Sequence, residues 1–521
     1  MRKIIGSVII VLLGVVVLGA YFLYPSERKP IISADIRQPV FEKIILPFQT
    51  NWSSTDSHSL TASAAIDINN DGADEIFIGG SQGQTDALLS WQDGKIIDVT
   101  TQANLGDLEA TYGANSIDID ANGFVDLLTV GNNGLIIWLN DNGKFTANPY
   151  DVIFPENSVA MDIAASDFDR DGDVDLYLSM FINPANFRSP VFNDPDHARP
   201  NILLRNDGDL KFTDVTDTAS AGLQNTFVSS FADLNSDGID DLVLAQNTGQ
   251  IEILKGLGDG KFESQNFTSG YGFWMGLALA DYDADGDVDL FFSNIGNSIP
   301  SAVLTGDIRD DQPIAPEWIL LRNDGDFKFT DVTDPSKLTG FGFAWGASFS
   351  DFNLDGVLDL AVAQNYIKWP IHELVKLPSK LLLGDGSNSF VQSDAIKSDA
   401  FSVNPLILDV DGNGKPDLVW VNINDKSVLQ LNKTNANFIA LRLPDNQRSS
   451  GAIIRFDREG LPALVHIAGQ GLGSDMTTTH TIGIDETVEG SITATIYWSD
   501  GTTTQLDDLQ LNAVNMVDPY S

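Results

Sequence analysis

Seven stretches of nine residues in this chain place side-chain oxygens at positions 1, 3, 5 and 9 around a glycine at position 6. In order they supply Asp67, Asn69, Asp71 and Glu75; Asp118, Asp120, Asn122 and Asp126; Asp167, Asp169, Asp171 and Asp175; Asp233, Asn235, Asp237 and Asp241; Asp281, Asp283, Asp285 and Asp289; Asp351, Asn353, Asp355 and Asp359; and Asp409, Asp411, Asn413 and Asp417. A donor set of oxygens alone suits a hard divalent cation. Calcium takes six to eight oxygens at about 2.3–2.6 Å, and alternate residues of a curled loop can aim three side chains at one point, joined by the carbonyl of position 7. Glycine at position 6 permits the sharp turn. Calcium, Ca2+, is therefore the expected ion. The loops at Asp167 and Asp281 carry four carboxylates and should bind it more tightly than those at Asp118 and Asp409, where Asn122 and Asn413 are neutral.

An EF-hand starts the same way but needs a helix on each side and a bidentate Glu at position 12. Position 12 here is Ile78, Thr129, Leu178, Leu244, Phe292, Val362 or Trp420, so each loop runs into a strand. The apolar runs at 176–179, 242–245 and 290–293 are too short for core helices. More strand-like segments follow: Ile251 to Lys255, a Gly-Asp-Gly turn at 258–260, and Lys261-Phe262. Residues 201–216 and 319–333 repeat this unit almost word for word. Motif starts lie 48 to 70 residues apart, the size of a four-stranded propeller blade. Nonapeptide β-helix repeats recur too closely to fit, and Asp-rich cystine-linked repeats need cysteines that this chain lacks. The fold expected is all-β: a seven-bladed β-propeller with calcium-binding hairpin loops, whose closure leaves few exposed edges.

These loops and strands resemble the FG-GAP or VCBS repeats of integrin α-subunit propellers. The run Gly342-Phe-Ala-Trp345-Gly346-Ala-Ser-Phe-Ser-Asp351-Phe-Asn353-Leu-Asp355-Gly356 especially resembles the form in cartilage acidic protein and its bacterial relatives, and the Phe-Thr-Asp-Val-Thr segments at 212–216 and 329–333 resemble the same family. Toward the C-terminus, Ser450-Gly-Ala-Ile-Ile-Arg, Gly469-Gln-Gly471-Leu-Gly473-Ser-Asp and Tyr497-Trp-Ser-Asp-Gly501 resemble the ASPIC/UnbV module that follows such propellers. The resemblance implies an extracytoplasmic calcium-binding propeller over 37–436, with a small β-module over 437–521, and does not imply an enzyme. With no Cys, the EGF-like calcium module of vertebrate members is absent.

With 30 basic against 73 acidic residues the net charge is −43, and 27 of the acids lie inside the seven loops. Much of the acidity is thus ligand chemistry, and nucleic acid is a poor partner. The absence of Cys also removes disulfides, thiolate metal sites and a lipid-bearing cysteine.

Within residues 1–24, Arg2 and Lys3 precede an uncharged apolar run from Ile4 to Tyr24, about 31 Å long as a helix, enough to cross a bilayer core. Leu18-Gly-Ala20 makes a weak cleavage site, so an uncleaved N-terminal transmembrane helix is expected over a cleaved signal, with 25–36 as a linker. If the segment were cleaved, the protein would be secreted. Calcium loops suit the metal-rich side of the membrane, which places the bulk of the chain in the periplasm or at the cell surface.

Catalysis has little support. His197 and His372 lie in the insertions at 181–199 and 365–379, but there is no nucleophile elbow or His pair at metal-ligand spacing. The 469–473 glycines lack the strand and helix of a phosphate loop and read as a turn. Trp274, Trp318 and Trp345 could form a sugar platform but read as blade core. The expected function is calcium-dependent interaction or adhesion with a protein or carbohydrate through the insertions at 181–199, 296–317 and 365–379. The alternative is a calcium-stabilised enzyme acting on extracellular polysaccharide.

Overall fold

The computed structural model describes residues 36–53, 57–186, 199–221, 225–296, 314–365, 377–396, 398–485, 487 and 491–518. The apolar run at 4–24, the linker up to residue 35, His197 and His372 lie outside them. Among the described residues no helix is long and apolar enough to cross a membrane. Regular structure there is almost wholly β, in nine sheets.

The third repeat shows how sequence becomes sheet. Ser158–Ser166, Asp175–Ile182, Ile202–Asn206 and Phe212–Asp214 pair antiparallel in chain order, with the acidic loop as the turn between the first two. Asp175–Ile182 is buried along its whole length, which is why it is mostly apolar, broken only by Asp175 and Ser179, rather than alternating. Phe212–Asp214, at the rim, is largely exposed. Six repeats follow this pattern. In the seventh, Ser402–Leu408, Asp417–Asn422 and Val428–Asn432 take their fourth strand from far upstream: Phe41–Ile45 pairs antiparallel with Val428–Asn432, setting Phe41 opposite Asn432.

The first strands of the seven sheets stand side by side in chain order, starting with Ser63–Ile66, Thr111–Ile117 and Ser158–Ser166, and Ser402–Leu408 returns beside Ser63–Ile66. The arrangement is a propeller-like ring. Trp274 and Trp318 are buried between its sheets and Trp345 is nearly so, as the core reading of these residues requires.

Residues 438–516 form two further sheets. One holds Phe438–Arg442 between Thr479–Gly483 and Val514–Met516, and the other runs Leu464–Val465, Ile453–Phe456, Ile492–Tyr497, Thr503–Leu509. Between Val465 and Thr479 the chain leaves these sheets and enters the ring. Ser474–Asp475 pairs parallel with Ser63–Ala64. Ala114 N–H donates to Gly473 O, Ala165 N–H to Ala468 O, and Leu277 N–H to Gly471 O. Ser230 Oγ–H donates to Gly469 O at 2.8 Å, Ser116 N–H and Oγ–H each to Asp475 Oδ2 at 2.8 Å, and Ser348 Oγ–H to Met476 Sδ at 3.8 Å. Thr477 N–H donates to Ile407 O at 3.1 Å. One segment therefore touches the first strand of all seven sheets and fills the ring axis.

The glycine run fits this role. Gly469, Gly471 and Gly473 have φ of +91°, +91° and +58°, and a Cβ on Gly473 would stand 2.1 Å from Tyr112 O. Gly473→Ala is expected to cost about 3 kcal/mol or more, the sum of a left-handed non-glycine residue and an overpacked interior. Exposed Gly460→Ala, also at positive φ but with nothing within 4 Å, should cost about 1 kcal/mol. Denaturant midpoints of the two variants check the difference.

Candidate metal centre

All seven acidic loops share one hydrogen-bonded frame. In the third, Asp171 N–H and Gly172 N–H donate to the two oxygens of Asp167, each at 3.0 Å. Asp175 closes the loop, its Oδ2 accepting Phe168 N–H at 3.2 Å and its Oδ1 accepting Asn206 N–H from the third strand at 2.8 Å. The same bonds recur at Asp118/Asp126, Asp233/Asp241, Asp281/Asp289, Asp351/Asp359 and Asp409/Asp417. In the first loop Asp67 and Glu75 play these parts, with Ser90 Oγ–H replacing the third-strand amide. The frame bends sharply. Position 6 is glycine at positive φ throughout, and position 4 is left-handed as well, at Asn70, Ala121, Arg170, Ser236, Ala284 and Leu354 with φ of 56–64°, and at Gly412. Non-glycine residues adopt that backbone at a cost of about 1–2 kcal/mol each, offset here by the bonds around them.

The frame turns oxygens inward. Asp118, Asp120 and Asp126; Asp167, Asp169 and Asp175; Asp281, Asp283 and Asp285; and Asp409, Asp411 and Asp417 each bring carboxylate oxygens within 4.8 Å of one another. In the loops at Asp67, Asp233 and Asp351, position 3 is an asparagine, so fewer carboxylates converge. Asp169 Oδ1 and Asp283 Oδ1 are buried and accept no hydrogen bond, which is what a cation ligand requires. Burial, reinforced by neighbouring carboxylates, raises Asp175 and Asp289 to about 9, Asp241 and Asp409 to about 8, and Asp126 to about 7. Burial followed by Asp351 and Asp355 pushes Asp359 well up too. The donor set fits a divalent cation, which would compensate these clustered acids.

Three kinds of supporting residue escape a reading of the loops alone. Asn140, Asn323 and Asn432 end third strands, and each Nδ2 spans two loops: Asn140 donates to Ile68 O and Val125 O, Asn323 to Leu234 O and Val288 O, and Asn432 to Phe352 O and Pro416 O. They lock neighbouring sheets together at the loops. The second kind comes from the C-terminal sheets, which cover the loop face of the ring. Arg442 Nη2–H donates to Asp67 Oδ2 at 3.2 Å and Asp74 Oδ1 at 2.9 Å, Ala463 N–H to Asp281 Oδ2 at 2.7 Å, and Gly483 N–H to Asp351 Oδ2 at 2.7 Å. Contacts extend to every loop through Asp118 N–H to Asp445 O, Gln447 to Gly172 O, Arg455 to Gly286 O, Thr481 to Gly414 O, and Gly451 packed on Asp240. The third kind is a basic rim: Lys255 Nζ lies 2.9 Å from Asp237 and Lys433 Nζ 3.4 Å from Asp411. Of the asparagines, Asn323 alone ends a repeated Leu-Leu-Arg-Asn, at 203–206 and 320–323, while Asn140 and Asn432 share only the preceding leucine; the other two kinds carry no local signal.

Histidines supply no competing site among the described residues. His58 Nε2 bonds Ile182 O at 2.7 Å and packs on Tyr112 and Phe181, while His466 and His480 stack edge to face at 5.3 Å inside the C-terminal region.

Comparison with known proteins agrees with the repeat reading. A model of the FG-GAP-like repeat matches residues 118–178 and 233–292, so the chain carries FG-GAP-like repeats. Cartilage acidic protein 1 of Xenopus tropicalis is 25% identical over 331 residues, 58% of this chain and 47% of that protein. The human protein is 25% identical over 335 residues, 57% of this chain and 46% of its own length. The chain thus spans about half the length of the curated relatives it matches. Among solved structures, an Agrocybe aegerita lectin that recognises non-reducing terminal N-acetylglucosamine aligns with TM-score 0.37 at 16% identity, covering 75% of this chain and 88% of its own. A rhamnogalacturonan lyase of Bacillus licheniformis aligns with TM-score 0.41 at 13% identity, covering 77% and 76%.

Proposed function

We propose that the protein is a seven-bladed, calcium-binding β-propeller that works outside the cytoplasm, held to the membrane by residues 4–24, and that it binds a protein or glycan rather than catalysing a reaction. Calcium stiffens the ring at the loop face. The observation that carries the reading is the division of labour between the two faces. The C-terminal sheets occupy the calcium-loop face, touching all seven loops, so a partner is left the opposite face. At that face second strands end and third strands begin, as at Ile182 and Ile202, Phe292 and Ile319, and Gln364 and Lys380, and the residues between these ends are the contact surface of the proposal. A binding protein needs only a shaped surface there, whereas an enzyme needs converging groups in a cleft.

The test is capture of extracellular proteins and glycans by the full-length chain and by a variant with 297–313 and 366–376 replaced by short Gly-Ser linkers. Partners retained by the wild type and lost by the replacement support the reading. Undiminished capture by the replacement, or turnover of an extracellular polysaccharide, would overturn it.

A further inference from the structure

In two of the seven calcium loops the carboxylate at position 1 is held from outside by a main-chain amide of the C-terminal region. Asp281 and Asp351 stand at position 1, where each carboxylate already accepts two amides of its own loop. Each accepts one more, from Ala463 N–H and Gly483 N–H, both at 2.7 Å. In the loops at Asp118, Asp167, Asp233 and Asp409 the amides donating to that carboxylate come from the loop itself. Gly483 also lies against the backbone of the sixth loop, where a Cβ would come within 2.1 Å of Leu354 C. The two grips flank the 466–477 segment that fills the ring axis.

We infer that calcium binding at the loops of Asp281 and Asp351 and seating of the axial segment are a single coupled equilibrium, with Ala463 and Gly483 as positioning residues. The inference rests on the calcium reading above. A donor behind a ligating carboxylate fixes its direction, and loss of such a partner commonly weakens metal binding 10–100-fold. The linkage is reciprocal: if the seated segment tightens calcium, calcium must tighten the seating by the same factor.

Hydrogen exchange of the full-length chain, resolved to single amides, tests this with and without calcium. Removal of calcium should speed exchange at Ala463, Gly483 and the 468–477 amides at least ~10-fold, along the same titration curve that calorimetry gives for the metal. Calcium binding seen by calorimetry with no change at those amides would overturn the coupling while leaving the calcium reading intact. No heat and no bound metal would overturn both. Ala463→Pro, which deletes one donor, should leave one site ~10–100-fold weaker; unchanged affinity in the folded variant would also overturn it. If that variant does not fold, the wild-type exchange decides alone.

Discussion

Removing calcium is expected to lower the melting temperature by about 10 °C or more. A ligand that binds only the folded state adds about 2.7 kcal/mol per site at ~100 times its Kd, and the four loops with converging carboxylates would together supply about 11 kcal/mol. At about 2.1 cal/mol/K of unfolding entropy per residue, a chain of this size moves by about 1 °C per kcal/mol. The effect has a pH signature. Burial and neighbouring charge hold Asp175 and Asp289 at about 9, and Asp241 and Asp409 at about 8, above the usual carboxylate value near 4. In metal-free protein these groups therefore contribute stability that is fully present below about pH 4 and is lost as pH rises through about 8 to 9. Calcium takes the place of those protons, so the gap between loaded and metal-free melting curves should widen from pH 7 to 9. His466 and His480, held by burial at about 3 and 4, act in the opposite sense only below about pH 6.5, outside that window. Scanning calorimetry of both forms across this range, with metal analysis of the purified protein, checks the prediction; coincident curves and no metal would refute calcium binding.

Arg442→Met should cost about 3–5 kcal/mol, the usual loss when one partner of a buried ion pair is removed. Arg442 is 4% exposed and serves Asp67 and Asp74, which are 4% and 2% exposed. Burial alone would lower its pKa, but Asp74, Asp445 and Asp67 raise it overall, so the guanidinium stays charged. Methionine keeps much of the buried stem and removes the charge, leaving several acids without their cation. Arg205→Met is the control. Arg205 also faces acids, Asp169 and Asp207, but is 39% exposed, and its loss should cost at most about 1 kcal/mol. Equal denaturant midpoints for the two variants would show that the Arg442 cluster contributes nothing special.

The difference between those arginines shows what the sequence can carry. Local spacing revealed the loops, because a cation needs alternate oxygens and a tight turn needs glycine, and both are written within nine residues. The strands were legible for a similar reason: segments buried on both sides, such as Asp175–Ile182, are mostly apolar, with the few polar residues hydrogen-bonded. Nothing local marks Arg442, Ala463 or Gly483 as companions of loops that lie 132 to 375 residues away. Two of the three act through a backbone N–H, which every residue but proline has. The 469–473 glycines were visible as a pattern, yet their meaning depends on the carbonyls of Ile163 and Tyr112 pressing on them from distant strands. The tail therefore reads from sequence as a separate module, although its middle is part of the ring's interior.

The pairing of Phe41–Ile45 with Val428–Asn432 sets the order of events for a chain that emerges from its N-terminus onward. The strand that completes the last sheet appears first and must wait, unpaired, while nearly 400 residues follow it. Only then can the circle close, and only after that can 466–477 thread its axis. Closure across so long a loop makes assembly slow and leaves two strand edges open to other chains in the meantime. A net charge of −43 opposes contact between copies of the chain during that wait.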